Sequence, residues 1–507
     1  MHSKSGISLA ALAAALALSA CGPGGGINLP GQHQVSAGAL KHAVKDARVK
    51  QFYEQRQWKP AWGGGASKDL LEAIDASEKH GIDANRFLTI IGKAPNDLRE
   101  EIAMTEAALA YADALSGGMA DPKKIYSPYT LASPKVDLVA GLNQAVEKGD
   151  VGDWLDSLAP QDPEYKAMSV AYVSLLQQMK ANKLPPVPQG PSIKPGGRDP
   201  RLPAIAQALA AAGFSSSPVN PQAPVYTKAM ETGIKGLQAE AGLKSDGTIG
   251  NDTIAALNTI MADHAQQIAL NMERRRWLAR DVPTTRIDVN TAAALLDYYR
   301  DGQVAWSSRV VDGQPTKQTP QLGAYLFQLV ANPPWVVPKG IAEKEVFPKG
   351  PGFMAAEDMY VDESGQVVQR AGPKSALGKV KFDLDDKYAI YLHDTPSKGP
   401  FETPYRHKSH GCVRVQNAIQ FAQLIADDEG VRAEFDRGLA SGETTSVALP
   451  HKIPVRLFYQ TVFLDRTNHL VYLPDPYGWD AKLADALGMK ATKRNALDDG
   501  VLIPLGP

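Results

Sequence analysis

Cysteine is scarce in this sequence. Cys21 and Cys412 are the only two in 507 residues. Cys21 falls in an N-terminal targeting signal, which leaves Cys412 without an intramolecular partner for a disulfide. Because an oxidising compartment penalises spare thiols, a lone cysteine in so long a chain calls for a chemical explanation.

An excess of charge of either sign is also missing. The chain has 54 Lys and Arg residues against 55 Asp and Glu residues, a formal net charge of −1. This balance gives no electrostatic basis for binding nucleic acid, which is therefore not an expected partner. The length of 507 residues implies roughly three domains, and the hydrophobic fraction of 44% is ordinary for a folded protein.

The N-terminal apolar stretch, Ile7 to Leu18, is too short to span a bilayer as a stable anchor. It ends in Leu18-Ser-Ala-Cys21 followed by Gly22, which resembles a bacterial lipobox. We therefore expect a signal peptide at 1–20, lipid attached to Cys21, and a lipid-anchored linker at 21–36. The expected location is the periplasm, anchored to the outer membrane of a Gram-negative bacterium. An ordinary signal peptide with an incidental cysteine is the alternative.

The stretch around Cys412 carries the chemistry. Lys387 to His393 is a short apolar run with β-branched and aromatic residues, which predicts a strand. The prolines and glycines of 394–411 predict a loop, and the spacing of apolar residues over 418–427 predicts a helix with Asn417 as its N-cap. Cys412 is thereby predicted to lie between a strand-end histidine and a helix.

This placement suits thiol chemistry, because the thiolate is the nucleophile and a nearby imidazole or helix N-terminus lowers the pKa of a thiol. Gly411 allows close approach of the backbone to a substrate, so the N–H groups of Gly411 and Cys412 could face a developing oxyanion. A cysteine and histidine arranged in this way perform acyl transfer.

Other interpretations of the same residues remain open. Cys412 could be buried and inert. His393, His407, His410 and Cys412 could bind zinc, although their spacing matches no common structural zinc module and no metal is expected. His410 has either a catalytic or a structural role, and Arg414 could simply pair with a surface carboxylate. His407 is predicted to be a solvated loop residue.

The residues of this stretch resemble a known family. His393, fifteen intervening residues and then Ser-His-Gly-Cys-Val-Arg at 409–414 are similar to the signature of the YkuD-type L,D-transpeptidases of bacterial cell walls. Ile-Tyr-Leu-His-Asp-Thr-Pro at 390–396 and Asn-Pro-Pro-Trp at 332–335 resemble the large YcbB-like branch of that family.

The resemblance implies roles for individual residues. Cys412 is the nucleophile and His393 the proton donor and acceptor. Gly411 and Cys412 supply oxyanion N–H groups, and Arg414 supports the site. The third, orienting member of the triad is not fixed by the motif, and a backbone carbonyl or Asp394 could serve. The residues expected to bind substrate are Tyr391, Ser409 and Trp335. No cofactor is implied.

The predicted fold is multidomain α+β. A helical scaffold domain at 37–199 ends in a Pro/Gly-rich linker, and 200–265 resembles a small three-helix peptidoglycan-binding domain. Residues 266–283 are predicted to form a helical connector, whose three arginines at 274–276 should be solvated and salt-bridged. A mostly β catalytic domain at 284–480 carries a capping insertion at about 325–376. A C-terminal tail spans 481–507.

The expected activity is transfer of a stem peptide. The resemblance favours formation of 3-3 peptidoglycan crosslinks through a cysteine acyl-enzyme, with release of D-alanine. The alternatives are a carboxypeptidase or endopeptidase, in which water accepts the acyl group, and a non-catalytic lipoprotein that anchors the outer membrane to the wall. Peptidoglycan stem peptides are the expected partners, while the acyl acceptor and the oligomeric state stay undetermined.

Overall fold

The computed structural model describes residues 35–181 and 184–490. The predicted signal peptide, the expected lipidation residue Cys21 and the last part of the predicted tail lie outside these ranges. Within them, none of the helices combines the length and the apolar character that a bilayer crossing requires.

The first described range is helical. Several helices begin where a side chain accepts hydrogen bonds from first-turn N–H groups, as Asp46 does from Arg48 and Val49. The long helix α5 has 13 of its 21 residues buried. The bounds are α1 Ala37–Ala43, α2 Ala47–Gln55, α3 Ala66–Asp75, α4 Asn85–Gly92, α5 Asp97–Gly117, α6 Pro122–Ile125, α7 Leu138–Lys148, α8 Val151–Leu158 and α9 Pro163–Ala181.

Three helices form the next unit. They are α10 Leu202–Ala211, α11 Lys228–Glu240 and α12 Asn251–Arg276. A tight turn precedes α12, in which Gly247 has a φ of +76° and donates its N–H to the buried Gln238 side chain at 2.9 Å. Helix α12 then continues without a break out of this unit, so the small domain and the connector beyond residue 265 are one rigid rod.

Strands dominate from residue 286. The principal sheet has the order β10-β3-β11-β9-β8-β4-β12-β1-β2, and β2 also pairs with β3. Eight strands therefore close on themselves, with β10 added outside β3. The strands are β1 Arg286–Asn290, β2 Leu295–Arg300, β3 Gln303–Gly313, β4 Leu322–Ala331, β8 Val380–Leu384, β9 Leu392–His393, β10 His407–Ser409, β11 Val413–Val415 and β12 Thr445–Phe458. Helices α15 Ala418–Asp428 and α16 Arg432–Ser441 pack on this core.

The capping insertion leaves the sheet after β4, at Asn332. Its predicted start at 325 is wrong, because residues 325–331 pair with β8 and β12 inside the main sheet. The insertion has a small core of its own around Val337, Val346 and Val367. Its elements are β5 Trp335–Val336, α13 Lys339–Ile341, α14 Gly350–Ala356, β6 Met359–Val361 and β7 Val367–Gln369, the strands pairing in the order β5-β7-β6. After β12 come β13 Val462–Leu464, β14 Leu470–Tyr472 and α17 Trp479–Ala486.

At the end of α12, Arg274 and Arg276 are buried and Arg275 is half-buried, so the predicted salt bridges are confirmed but the predicted solvation is wrong. They do project in different directions, but each direction meets a neighbouring element. Arg274 binds Asp480 at 2.5 Å in α17, and Arg275 binds Asp162 at 2.5 Å beside the scaffold helix α9. Arg276 is fully buried and binds Glu273 at 2.6 Å. The connector is thereby fastened to both of its neighbours.

Replacing Arg276 by Ala should lower the free energy of unfolding by about 3–5 kcal/mol, because Glu273 would keep a buried charge without its cation. Urea unfolding followed by circular dichroism measures the change. The matched control is Lys68→Ala, which removes the exposed pair with Glu72 at 3.5 Å and should cost under about 1 kcal/mol. Equal losses in the two variants would contradict a stabilising role for the buried pair.

Candidate active site

Two short parallel strands bring His393 and Cys412 together. Strand β11 pairs with β9 so that Val413 lies opposite Leu392 and Arg414 lies opposite His393. Val413 and Leu392 are fully buried in the core of the sheet. Because alternate residues of a strand face opposite ways, His393 and Arg414 project to the other face, and Cys412, two residues before Arg414, falls on that face as well.

The segment before β9 is a turn and not the predicted strand from 387. Oδ1 of Asp386 accepts from the N–H of Tyr388 at 2.6 Å and from that of Ile390 at 3.3 Å, which folds the backbone over. Ala389 takes a φ of +56°, a left-handed conformation that no strand residue adopts. Its carbonyl oxygen accepts a hydrogen bond from Cys412 Sγ at 3.7 Å. The turn thus places the Ala389 carbonyl group next to the Cys412 sulfur.

His393 is held by its own neighbour. Its ring Nδ1 lies 2.5 Å from the backbone carbonyl oxygen of Asp394, and because a carbonyl can only accept, Nδ1 carries the hydrogen. The Asp394 carboxylate points elsewhere, accepting from the Lys379 N–H at 2.8 Å and from Lys398 Nζ at 2.5 Å. Of the two candidates for the orienting group, the backbone carbonyl is the one in contact with the ring, and Nε2 is left with its lone pair.

Burial and the charge of Arg414 lower the pKa of His393 to about 3. Burial is the larger cause, since only 5% of the residue is exposed. The imidazole is therefore neutral at physiological pH and able to accept a proton at Nε2.

A neutral ring can be tested by NMR. In the protein labelled with ¹⁵N-histidine, the His393 signals are identified as those that disappear in His393→Gln. They should be those of a neutral ring protonated at Nδ1. In the unsubstituted protein they should not shift between pH 8 and pH 5. His451 is exposed and serves as an internal reference. Titration of the His393 signals near pH 6.5 would contradict the assignment.

The Cys412 thiol has a raised pKa. Burial is the main cause, and the Asp386 charge adds to it, while hydrogen bonds from the Tyr391 backbone and hydroxyl act in the opposite direction. The expectation of a lowered pKa is wrong because strand β11 separates Cys412 from helix α15, so no helix N-terminus faces the sulfur. At rest, the thiol and the imidazole on this face of the sheet are both neutral.

Ser409 and Gly411 shape the loop that leads into Cys412. Ser409 is buried, accepts from the Gly411 N–H at 3.0 Å, and donates to the Cys412 carbonyl at 2.6 Å. Gly411 has a φ of +116°, and its carbonyl accepts from Thr319 Oγ1 at 2.8 Å. Ser409 therefore stabilises the loop through buried hydrogen bonds, whereas it was expected to bind substrate. The Gly411 N–H, expected to face an oxyanion, is used by Ser409.

Arg414 is half-buried, and its charge acts on both members of the pair. It disfavours the protonated form of His393, and the pKa of Arg414 is itself lowered by burial and raised by Cys412. Across residues 35–181 and 184–490 no Asp or Glu forms an ion pair with it, so the alternative of a simple surface pair is not found. Arg414 is a half-buried cation in register with His393.

The capping insertion touches the site at two points. Trp335 and the Cys412 sulfur both act on the hydroxyl of Tyr391, whose pKa burial raises and Trp335 lowers. His410 Nε2 lies 2.8 Å from Glu345 Oε1 of the insertion, and Lys317 Nζ binds the same oxygen at 2.8 Å. His410 thus joins the loop before Cys412 to the capping insertion.

His407 is buried, so its prediction as a solvated residue is wrong. Its Nδ1 lies 2.6 Å from Oδ1 of the fully buried Asp312. With His410 bound to Glu345 and His393 to the Asp394 carbonyl, the histidines considered as zinc ligands have separate partners. Among the described residues no group of three or more His, Cys, Asp and Glu side chains is arranged to hold a metal ion.

Sequence reasoning missed three residues of the site. Asp386 holds the turn that precedes β9, and Lys381 lies opposite His393 where β8 pairs with β9. Thr319 donates a hydrogen bond to the carbonyl of Gly411. Only Asp386 had a local signal in the sequence. An Asp whose side-chain oxygen accepts a hydrogen bond from the backbone N–H two residues later is typical of a turn. The other two come from strands and loops distant in sequence.

Comparison with known proteins assigns a family to each region. Residues 47–171 match a scaffold domain, 198–257 a peptidoglycan-binding domain, and 284–441 the YkuD family, described as an L,D-transpeptidase catalytic domain. A curated Haemophilus influenzae protein, provisionally named as an L,D-transpeptidase, is 33% identical over 243 residues, which are 43% of this chain and 49% of that protein. The chain thus spans about half the length of this relative.

Solved structures of L,D-transpeptidases are more distant. One from Xylanimonas cellulosilytica is 17% identical with a TM-score of 0.19, covering 54% of this chain and 100% of that one. The catalytic domain of the E. faecium enzyme is 16% identical with a TM-score of 0.20, covering 35% and 99%. The assignment rests on the family matches and on the Haemophilus relative. The chain contains a YkuD-type L,D-transpeptidase catalytic domain together with a peptidoglycan-binding domain.

Proposed function

We propose that this chain crosslinks the bacterial cell wall, forming 3-3 links between stem peptides through an acyl group carried on Cys412, with release of D-alanine. The observation that supports this most is the pairing of β9 and β11, which sets a thiol and a neutral imidazole on one face of the sheet. The matches to a catalytic domain and to a peptidoglycan-binding domain support stem peptides of peptidoglycan as the substrate class.

The first half of the reaction follows from the neutral pair. As sulfur attacks the carbonyl of the third residue of a tetrapeptide stem, Nε2 of His393 takes the thiol proton. The Asp394 carbonyl holds Nδ1–H and keeps the ring oriented. The Cys412 N–H is the remaining candidate for the oxyanion, because Ser409 uses that of Gly411.

Collapse of the intermediate releases D-alanine. The imidazolium is a strong acid, since burial and Arg414 hold the pKa of His393 at about 3, so it passes its proton readily to the departing amine. The thioester then waits for the side-chain amine of a second stem. Attack by that amine gives the crosslink, and attack by water gives only a shortened stem.

The test is incubation of purified protein with a defined disaccharide-tetrapeptide, with the products read by mass. Crosslinked dimers that have lost D-alanine support the proposal. Tripeptide without dimer would replace it with a carboxypeptidase, and unchanged substrate would leave only a binding role for the chain.

We also propose that the protein is exported and held at the periplasmic face of the outer membrane by lipid on Cys21, as the lipobox-like Leu18-Ser-Ala-Cys21 indicates. Cys21→Ser should abolish labelling by radioactive palmitate and move the protein from the membrane fraction to the soluble periplasmic fraction. Labelling that survives the substitution would refute attachment at this residue.

A further inference from the structure

The carbonyl of Gly411 decides where the Cys412 N–H points. The two groups belong to one trans peptide unit, which is planar, so they point in opposite directions. The Gly411 carbonyl accepts from Thr319 Oγ1 at 2.8 Å. Thr319 is fully buried, and its hydroxyl also accepts from the Gly313 N–H at 2.9 Å. Whatever holds Thr319 in place therefore also sets the direction of the Cys412 N–H, the candidate donor to the oxyanion.

Thr319 is held by Tyr477, which lies between β14 and α17. The Tyr477 hydroxyl donates to the Gly313 carbonyl at 2.7 Å and accepts from the Thr319 N–H at 3.4 Å. The two backbone segments pack closely, because a Cβ added at Gly313 would come within 2.6 Å of the Thr319 nitrogen. One hydroxyl group thus ties together the two ends of the turn at 313–319.

Tyr477 is itself fixed by buried contacts, and only 5% of it is exposed. Its N–H donates to the Tyr459 hydroxyl at 3.2 Å, and the two rings are stacked with their centroids 5.4 Å apart. The Tyr459 hydroxyl donates to Asp475. The Asp475 carboxylate also accepts from the N–H groups of Trp479 at 2.9 Å and Asp480 at 2.7 Å, at the start of α17. The hydroxyl of Tyr477 is therefore presented by a segment that is hydrogen-bonded on both sides.

We propose that Tyr477 is a positioning residue for the reaction at Cys412. Through the Thr319 hydroxyl it holds the Gly411 carbonyl, so that the Cys412 N–H keeps one direction while the oxyanion forms. Tyr477 acts through these groups and not on the reacting atoms. This inference rests on the proposed function and adds to it a residue outside 284–441, the range that matches the catalytic domain.

Loss of this positioning should lower the rate and leave substrate binding unchanged. The negative charge on the carbonyl oxygen develops only as sulfur attacks, so a donor aimed at it stabilises the transition state and not the bound substrate. Removal of a whole oxyanion donor typically costs about 10²–10³ in kcat. Loosening the peptide that carries the donor leaves the N–H in place, so the expected loss is smaller, about ten- to thirtyfold.

The experiment measures kcat and KM for release of D-alanine from a disaccharide-tetrapeptide by the full-length protein. Tyr477→Phe removes the hydroxyl and keeps the stacked ring. We expect kcat to fall about tenfold or more and KM to change less than about twofold. The control Tyr53→Phe removes the hydroxyl of a fully buried scaffold tyrosine, which bonds Thr105 at 2.8 Å. It should lose comparable stability in urea unfolding and keep both kinetic constants within about twofold.

Substitutions of Thr319 test the route. Thr319→Ser keeps the hydroxyl and should keep kcat within about threefold, whereas Thr319→Val should lose at least as much as Tyr477→Phe. Adding Tyr477→Phe to Thr319→Val should lower kcat no further, because both act through one contact. Losses that multiply overturn the inference alone, as do an unchanged kcat in Tyr477→Phe or an equal loss in Tyr53→Phe. Absence of D-alanine release by the unsubstituted protein overturns the proposed function, and the inference with it.

Discussion

Exposure to a carbapenem should add the mass of one inhibitor molecule to the protein, and Cys412→Ala should add none. A carbapenem presents a strained acyl donor, and the Cys412 thiol is the nucleophile that we propose opens it. Loss of the sulfur removes the bond-forming atom, so the expected effect is complete. Intact-protein mass spectrometry detects the adduct, and peptide mapping should locate it within 409–415.

The background for this experiment carries Cys21→Ser, because Cys21 is the only other cysteine in the chain. Ser409→Ala is a useful comparison, since it removes the hydroxyl that holds the loop but keeps the thiol. It should slow the adduct without abolishing it. An adduct on Cys412→Ala of the same size as on the parent chain would disprove the assignment of the nucleophile.

His393→Gln should slow acylation by about 10²–10⁴-fold, the range that a positioned general base supplies. Stopped-flow fluorescence during reaction with the same carbapenem measures the rate. His410→Gln is the matched histidine control and should change the rate less than tenfold, because His410 binds Glu345 of the cap. A similar loss in both variants would indicate a structural effect and not base catalysis.

The pH dependence of the acylation rate distinguishes a neutral thiol assisted by the imidazole from a thiolate that reacts alone. The pKa of His393 is about 3 and that of the thiol is raised, so the reactive neutral pair persists unchanged from pH 5 to pH 8. The acylation rate should therefore be nearly level over this interval. In His393→Gln the remaining rate depends on thiolate and should rise about tenfold per pH unit. A similar rise in the parent protein would show that the thiolate reacts without the imidazole.

The sequence predicted that His393 and Cys412 belong to one site because both lie in a single motif that spans 393–414, and the pairing of β9 with β11 puts them on one face of the sheet. Their catalytic roles stay a prediction. The sequence also placed helix α15 correctly at Ala418, although Asn417 makes no side-chain cap there and has a φ of +55°. The predicted strand at 387–393 was largely wrong because apolar content cannot reveal that Asp386 folds the backbone into a turn. Local sequence patterns located the helix but did not reveal where the backbone turns.

What the sequence could not show are contacts between distant segments. Arg274 and Arg275 of α12 looked solvated, because their partners Asp480 and Asp162 are distant in sequence. The same holds for His407 with Asp312 and for Thr319 with Gly411. In each case a polar residue is buried only because the fold supplies a partner, which composition and periodicity do not encode.

The unbroken course of α12 has a mechanical consequence. At 1.5 Å per residue its 26 residues span about 39 Å, from the peptidoglycan-binding domain to the arginines locked between scaffold and α17. A flexible linker at this place would let the small domain move relative to the rest of the chain. A continuous helix held at its end keeps the small domain at a fixed distance. Under the proposed function, this one helix therefore sets the distance between the point where the small domain binds the wall and the point where Cys412 reacts.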